Sequence, residues 1–260
     1  MGPQDDNQKR HDIIQSIRKL DSSLSSLNQQ KQQLLRELKS VPISERSVTI
    51  SEEISSDEKV KLFKELFRGR TDVYAKHWTS RKTGKSGYSP VCKNEWVPKI
   101  CQRSTVRCSE CPNREFLTFD ESTILKHLNG SVIAGIYPLL DGDVCYFLVV
   151  DFDKEGWQDN IIAFKQTCSE HNVPVAIERS RSGNGAHAWI FFEDRLPTFT
   201  ARRLGSFLLT ETMSKRYQLD MKSYDRLFPN QDTLPKGGFG NLIALPLQKE
   251  AAKFGNSLFV

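Results

Sequence analysis

Residues 144–150, Val-Cys-Tyr-Phe-Leu-Val-Val, form a run of seven apolar residues that stops abruptly at Asp151-Phe152-Asp153. A stretch this apolar and β-branched predicts a strand buried on both faces, and so a layered α/β core. Alternation along a strand then puts Asp151 and Asp153 on the same side, at its end. Two neighbouring carboxylates repel each other, and holding both ionised there calls for a cation. Hard oxygen ligands of this kind suit Mg²⁺ or Mn²⁺, the ions that accompany triphosphates.

The following residues continue as helix, strand, turn and strand. Trp157 to His171 has helical spacing (Ile161, Ile162, Phe164, Cys168), with Asn172 where a helix would stop. Val173 to Ile177 reads as a second buried strand. Ser180-Arg181-Ser182-Gly183-Asn184-Gly185 is a small-residue turn, and His187 lies on the strand after it. A glycine-containing turn exposes backbone N–H groups that cradle anionic oxygens. Arg179, Arg181 and His187 add positive charge and donors around it. A lone Asp-x-Asp reads more simply as an exposed strand end, and a lone His as a satisfied strand residue. Their conjunction beside a glycine turn outlines a nucleotidyl-transfer site.

With 260 residues the chain can bury one full core and a smaller appendage. Its formal net charge of +5 permits a nucleic-acid partner without selecting one. No apolar window is long enough to span a bilayer, and the polar first thirty residues hold no signal-peptide core. The expectation is a cytoplasmic protein with no membrane partner. Its six cysteines are then metal ligands or free thiols before they are disulfides. The lack of a polar tail after Phe259-Val260 suggests a piece of a longer polypeptide.

Residues 8–40 contain no Pro or Gly, and Ile13, Ile17, Leu20, Leu24, Leu27, Leu34 and Leu38 alternate spacings of four and three. Lys31 fills the one open seam position. This heptad pattern predicts a parallel homodimer or docking to another subunit, with a fold-back helix or a spacer as the plain alternative. Val41-Pro42 breaks the helix. Ser55-x-x-Glu58 is a capping-box signature for a short helix through Phe67, closed by Gly69. Asp72 to Gly87 reads as irregular and basic, with Tyr74, His77 and Trp78 among Lys76, Arg81, Lys82 and Lys85. Such interleaving suits single-stranded nucleic acid; a solvated loop is the bland reading.

Cys92, Cys101, Cys108 and Cys111 fall within twenty residues, and Cys108-x-x-Cys111 is half of a zinc site. A structural Zn²⁺ cage is favoured over free thiols, with His77 or His127 able to replace an outer cysteine. Cys145 and Cys168 read as core residues. Thr123 to Leu128 predicts a short helix, Val132 to Leu140 a strand, Asp141-Gly142-Asp143 a turn, Pro197 to Arg216 a helix and Asn241 to Leu247 a strand. Asp225 or Asp232 supplies a candidate third carboxylate, and Lys236, before a glycine-rich stretch, a candidate phosphate contact.

In order, Asp151-x-Asp153, Ser182-Gly-Asn-Gly-Ala-His187 and Tyr224-Asp225 resemble the three motifs of the archaeo-eukaryotic primase superfamily. The cysteine block, the run Glu178–His187 and Phe228–Gln248 look like its branch in TOTE conflict systems and CRISPR-associated primase-polymerases. The resemblance covers about residues 60–250. It implies an RRM-like catalytic core (131–260), an αβ region with a four-cysteine zinc module (47–130) and a heptad helix outside the family (1–46). It further implies a template-dependent DNA primase and DNA polymerase, able to start and extend strands in DNA replication. Asp151, Asp153 and Asp225 would hold two Mg²⁺ or Mn²⁺ ions. His187, Ser182, Asn184, Gly185, Arg179, Arg181 and Lys236 would bind the dNTP or NTP. Single-stranded DNA template and primer are the implied partners. The competing reading is a catalytically silent, zinc-containing module that binds single-stranded nucleic acid.

Overall fold

The structure, a computed structural model, describes residues 55–215 and 223–260, and in the N-terminal stretch residues 13–23, 25–26, 29–30 and 33. The chain divides into two units, Met1–Glu53 and Ile54–Val260. In the first, residues 13–23 are helical, and the seam side chains Ile13, Ile17 and Leu20 are exposed. The remaining heptad positions, Leu24, Leu27, Lys31, Leu34 and Leu38, and the break at Val41-Pro42 lie outside the described residues.

The second unit begins with α1 (Ser56–Leu66), β1 (Ala75–Thr79), β2 (Ser86–Pro90), α2 (Glu121–Leu128) and β3 (Ala134–Ile136). It continues with β4 (Val144–Asp153), α3 (Trp157–Glu170), β5 (Ala176–Arg179), β6 (Gly185–Pro197) and α4 (Thr198–Lys215). After residues 216–222, β7 (Tyr224–Phe228), β8 (Ile243–Ala244) and α5 (Lys249–Ala252) complete it. Two four-stranded antiparallel sheets result, ordered β2-β1-β3-β8 and β5-β6-β4-β7. The second is built in the order β-α-β-β-α-β, the pattern of a split βαβ sheet.

The apolar run is the central strand of that second sheet, and both its faces are covered. Leu148, Val150 and Phe152 pack with Ile161, Phe164, Ala201 and Leu208 of α3 and α4. Phe147 and Val149 face the other way, into a cluster with Phe63 and Phe67 of α1, Ile124, Ile136, Trp189 and Phe228. Each fully buried aliphatic or aromatic side chain here contributes roughly 1.5–3 kcal/mol. α4 comes in close because Gly205 has no side chain: a Cβ there would stand 2.7 Å from Leu148 Cδ2. Cys145 and Cys168 are buried core thiols, and burial raises their pKa values to about 11 and about 12.

Local signals explain most boundaries. The Ser55 side chain accepts from Glu58 N–H while the Glu58 carboxylate accepts from Ser55 N–H, so the capping box forms as expected. α3 stops before Asn172, which takes the left-handed conformation (φ 55°) that asparagine tolerates. The stretch expected to be irregular is a hairpin instead, β1 paired with β2 from Ala75↔Pro90 to Thr79↔Ser86. Its strands alternate polar and half-exposed residues, and what holds them is β1 pairing with distant β3. The strands expected at 132–140 and 241–247 shorten to Ala134–Ile136 and Ile243–Ala244, and the one expected at 173–177 shifts to Ala176–Arg179. Among the described residues, no helix is long and apolar enough to cross a membrane.

His127 is fully buried and both ring nitrogens are engaged: Nε2 lies 2.8 Å from Pro246 O and Nδ1 accepts from Ala134 N–H at 3.1 Å. That fixes a neutral ring with the proton on Nε2. It also removes His127 from consideration as a zinc ligand. Burial depresses its pKa below the ordinary 6.5, so the unfolded chain binds this proton more readily than the folded one. Stability is therefore fully present above the unfolded value and falls as pH drops through the window beneath it, at most about 1.4 kcal/mol per pH unit. A His127→Gln variant is expected to be less stable overall but to lose less stability on acidification over that window. Urea melts across mildly acidic pH check this, and equal slopes for both proteins would refute it.

Candidate active site at the end of the central strand

β4 runs on through its carboxylates, pairing Asp151 with His187 and Asp153 with Gly185 of β6. Gly185 is there for the backbone: a Cβ would lie 2.5 Å from Phe152 O. On the other edge β7 pairs Asp151 with Arg226 and Phe152 with Tyr224, so the register skips a residue at Asp225. A bulge of this kind re-aims a side chain. Asp225 thereby joins the other two carboxylates, within electrostatic reach of Asp151. Asp232, the alternative third carboxylate, is instead ion-paired with Arg202 of α4. Asp225 is thus the acid that the fold brings to the pair.

The cluster is charged and partly covered, with side-chain exposures of 17% for Asp151, 46% for Asp153 and 20% for Asp225. Burial, then the charges of Asp153 and Asp225, hold the Asp151 carboxyl above the usual carboxylate range, against the pull of His187 and Arg226. One oxygen of Asp153, Oδ1, is buried with no hydrogen-bond partner. Among the described residues the cation that approaches it is the Lys154 ammonium, 3.7 Å away and also 3.5 Å from Asp225 Oδ1. Both distances are too long for hydrogen bonds. Arg226 pairs with Asp225. Among the described residues no three His, Cys, Asp or Glu side chains stand at metal-ligand spacing. An inward-turned carboxylate oxygen without a donor, beside two more carboxylates, is nevertheless a donor set that suits a hard divalent cation.

His187 stands opposite, its Nε2 3.5 Å from Asp151 Oδ1 and its Nδ1 2.9 Å from Glu178 Oε2. Burial alone would lower its pKa, but the Glu178 hydrogen bond and charge and the Asp151 charge outweigh it, and the net shift is upward. Sequence reasoning misses Glu178, since a glutamate in Val-Ala-Ile-Glu-Arg reads as solvent-facing. Its side chain is 2% exposed, and the same oxygen accepts from Trp189 Nε1 at 2.9 Å.

The turn between β5 and β6 lies at this end of the sheet. Gly183 is left-handed (φ 79°) and donates its N–H to Ser180 O, and the Ser182 hydroxyl accepts from Asn184 N–H. Ser182 and Asn184 are exposed. Arg181 reaches across to β1, its guanidinium 3.3 Å from His77 Nε2, and the His77 ring packs edge-on against Tyr88. Arg179 is not brought to the carboxylates. It donates to Gly183 O and lines a groove of about 420 Å³ with Trp157, Ile161, Ile177 and Val260, on the helix-covered side of the sheet. Lys236 is exposed, and its neighbour Gly237 abuts Ser109 and Arg114 of the cysteine segment.

All four cysteines of that segment are free and half-buried, and all four line one cavity of about 30 Å³. Burial raises the Cys108 thiol pKa; the thiols of Cys101, Cys92 and Cys111 add to the rise, and Arg103 opposes it. The four side chains do not stand at metal-ligand spacing, but four thiols on one cavity are the ligand chemistry that Zn²⁺ takes. Neither His77 nor His127 lines that cavity.

The family described as the archaeo-eukaryotic primase domain of TOTE conflict systems matches residues 58–260. Among solved structures, the polymerase domain of Ligase D from Mycobacterium tuberculosis, in complex with DNA, is similar at 11% identity with a TM-score of 0.45. That similarity covers 74% of this chain and 76% of the other. No curated protein matches the chain.

Proposed function

This chain belongs to the archaeo-eukaryotic primase domain family of TOTE conflict systems, and on that premise we propose that it is a template-dependent primase-polymerase. It starts DNA strands and extends them by transfer from nucleoside triphosphates. The observation that carries this reading is the convergence of Asp151 and Asp153 of β4 with Asp225 of β7, faced by His187 of β6. Asp151, Asp153 and Asp225 would hold two Mg²⁺ or Mn²⁺ ions, whose chemistry there would be to neutralise the triphosphate and activate the primer 3′-hydroxyl. Asp153 Oδ1, without a protein donor, favours that role. His187 donates its Nε2–H to the triphosphate from the neighbouring strand, and Ser182, Asn184 and Arg181 of the turn extend the anion-binding edge. Gly185 lets β6 come close enough to place them.

The four cysteines would hold a structural Zn²⁺ that steadies a segment with several Lys and Arg, suited to single-stranded template. The exposed Ile13, Ile17 and Leu20 offer an apolar stripe that suits a second copy of the helix.

The test is incubation with single-stranded DNA, with and without an annealed primer, in Mn²⁺ with labelled dNTPs or NTPs. Products of both kinds are expected from the wild type and none from Asp151→Ala/Asp153→Ala. Binding of the template without any synthesis by the wild type would replace this reading with the silent nucleic-acid module.

A further inference from the structure

Glu178 is a carboxylate almost entirely out of water, and that costs several kcal/mol unless its partners compensate. Among the described residues no lysine or arginine pairs with it. Its partners are the imidazole of His187 and the indole of Trp189, both 2.9 Å from the same oxygen, Oε2. The arrangement follows from register, since Glu178 sits directly opposite His187 across the β5–β6 pair, with Trp189 two residues further on. Residues opposite one another in an antiparallel pair are side-chain neighbours on one face.

Trp189 is rigid. It is fully buried, with Phe67 edge-on at 5.1 Å, Phe147 at 5.2 Å and Phe191 stacked at 5.8 Å. Its indole N–H only donates. Glu178 Oε2 must therefore be an acceptor at that point, and an acceptor there takes its second hydrogen from His187 Nδ1. A neutral amide oxygen would satisfy the indole at lower desolvation cost. The charge is explained from the imidazole side.

We propose that Glu178 is a positioning residue of the site, accepting from His187 Nδ1–H so that the Nε2–H edge of the ring is turned towards Asp151 and the incoming triphosphate. The role of His187 itself rests on the nucleotidyl-transfer reading above. The indole-to-carboxylate-to-imidazole chain ties the orientation of that histidine to the aromatic core, so the ring is set before any nucleotide arrives. Pre-set orientation of a contacting group is worth one to two orders of magnitude where misplacement approaches about 1 Å.

Two measurements test this separately from the polymerase reading. The first uses no substrate: long-range ¹H–¹⁵N NMR of histidine-labelled wild-type protein is expected to show His187 protonated at Nδ1, and a bare Nδ1 would overturn the proposal. The second uses the primer-extension assay. Glu178→Leu is expected to raise the KM for dNTP on the order of tenfold or more. Glu178→Gln is expected to raise KM as well, by less than Glu178→Leu, because its amide oxygen still faces both donors but no longer carries the charge. In a His187→Ala background Glu178→Leu should change KM no further. If Glu178→Leu does not fold, the glutamine variant and the NMR signature still decide. Wild type inactive on every template would sink the polymerase reading while leaving the NMR result to judge Glu178. An active wild type whose KM ignores Glu178→Leu would sink the positioning role alone.

Discussion

Asp153→Asn is expected to cut templated nucleotide incorporation by on the order of 10³-fold while leaving the metal-free protein as stable as wild type or more so. Ligation of catalytic metal is worth several kcal/mol of transition-state charge stabilisation, and each 1.36 kcal/mol is tenfold in rate. The stability half follows from the same crowding. Asp151 is held above the usual carboxylate range by burial and by its acidic neighbours, Asp153 among them. A carboxyl whose folded pKa is raised binds its proton more firmly in the folded state. Ionising it therefore costs stability as pH climbs from the unfolded value of 3.8 through the folded one. At neutral pH the ionised Asp151 is a burden on the metal-free fold. Asparagine keeps the volume of Asp153 and removes one repelling charge, forfeiting only a 3.7 Å approach to an exposed lysine. Melting curves with and without Mn²⁺ make the test sharper. Wild type should be stabilised by the ion through mass action, and the variant should be stabilised much less. Retained synthesis, or marked destabilisation without metal, would count against the assignment of Asp153.

Which parts of this site were legible in the chain depends on how each part is encoded. The central strand was legible because burial on both faces leaves no polar residue between Val144 and Val150, and no other element writes itself that way. The carboxylate pair and His187 followed from it. The β1–β2 hairpin was not legible, since Ala75–Thr79 and Ser86–Pro90 carry mixed residues and depend on β3, some fifty positions later, for their place. Asp225 and Asp232 looked alike until the bulge in β7 sent the first to the cluster and Arg202 claimed the second. Arg179 shows how charge misleads without register. Glu178 shares a face with His187, so the arginine next to it must turn to the helix side, where Ile177 and Ala186 lie. The same register would have exposed Glu178, because the turn at 180–184 places positions 178 and 187 opposite one another.

Removing zinc is expected to lower the melting temperature by more than about 5 °C, and Cys108→Ser is expected to do the same. From Cys92 to Thr118 not one residue is buried; the next buried side chains on either side are Val91 and Phe119. Trp96 is 72% exposed, and Trp96 and Lys99 both adopt positive φ, at 63° and 65°. A segment with no core and two strained non-glycine residues cannot hold itself by apolar burial, so it needs a staple. The four thiols that line one cavity of about 30 Å³ would supply the ligands for one if they closed on a zinc ion. Zinc binding in such a place is folding free energy, about 10–16 kcal/mol in zinc-finger peptides. Part of it reaches the rest of the unit, because Cys92 bridges to Phe116 in a β-type contact and Phe116 packs edge-on against Phe239 beside Tyr137. Even ~2–3 kcal/mol of that coupling gives a shift of about 5–10 °C in a domain of this size. Metal analysis should find one zinc per chain, and hydrogen exchange after chelation should accelerate first across residues 92–118. A protein that purifies without zinc and melts identically with a chelator would show that these thiols are held by packing the structure does not account for.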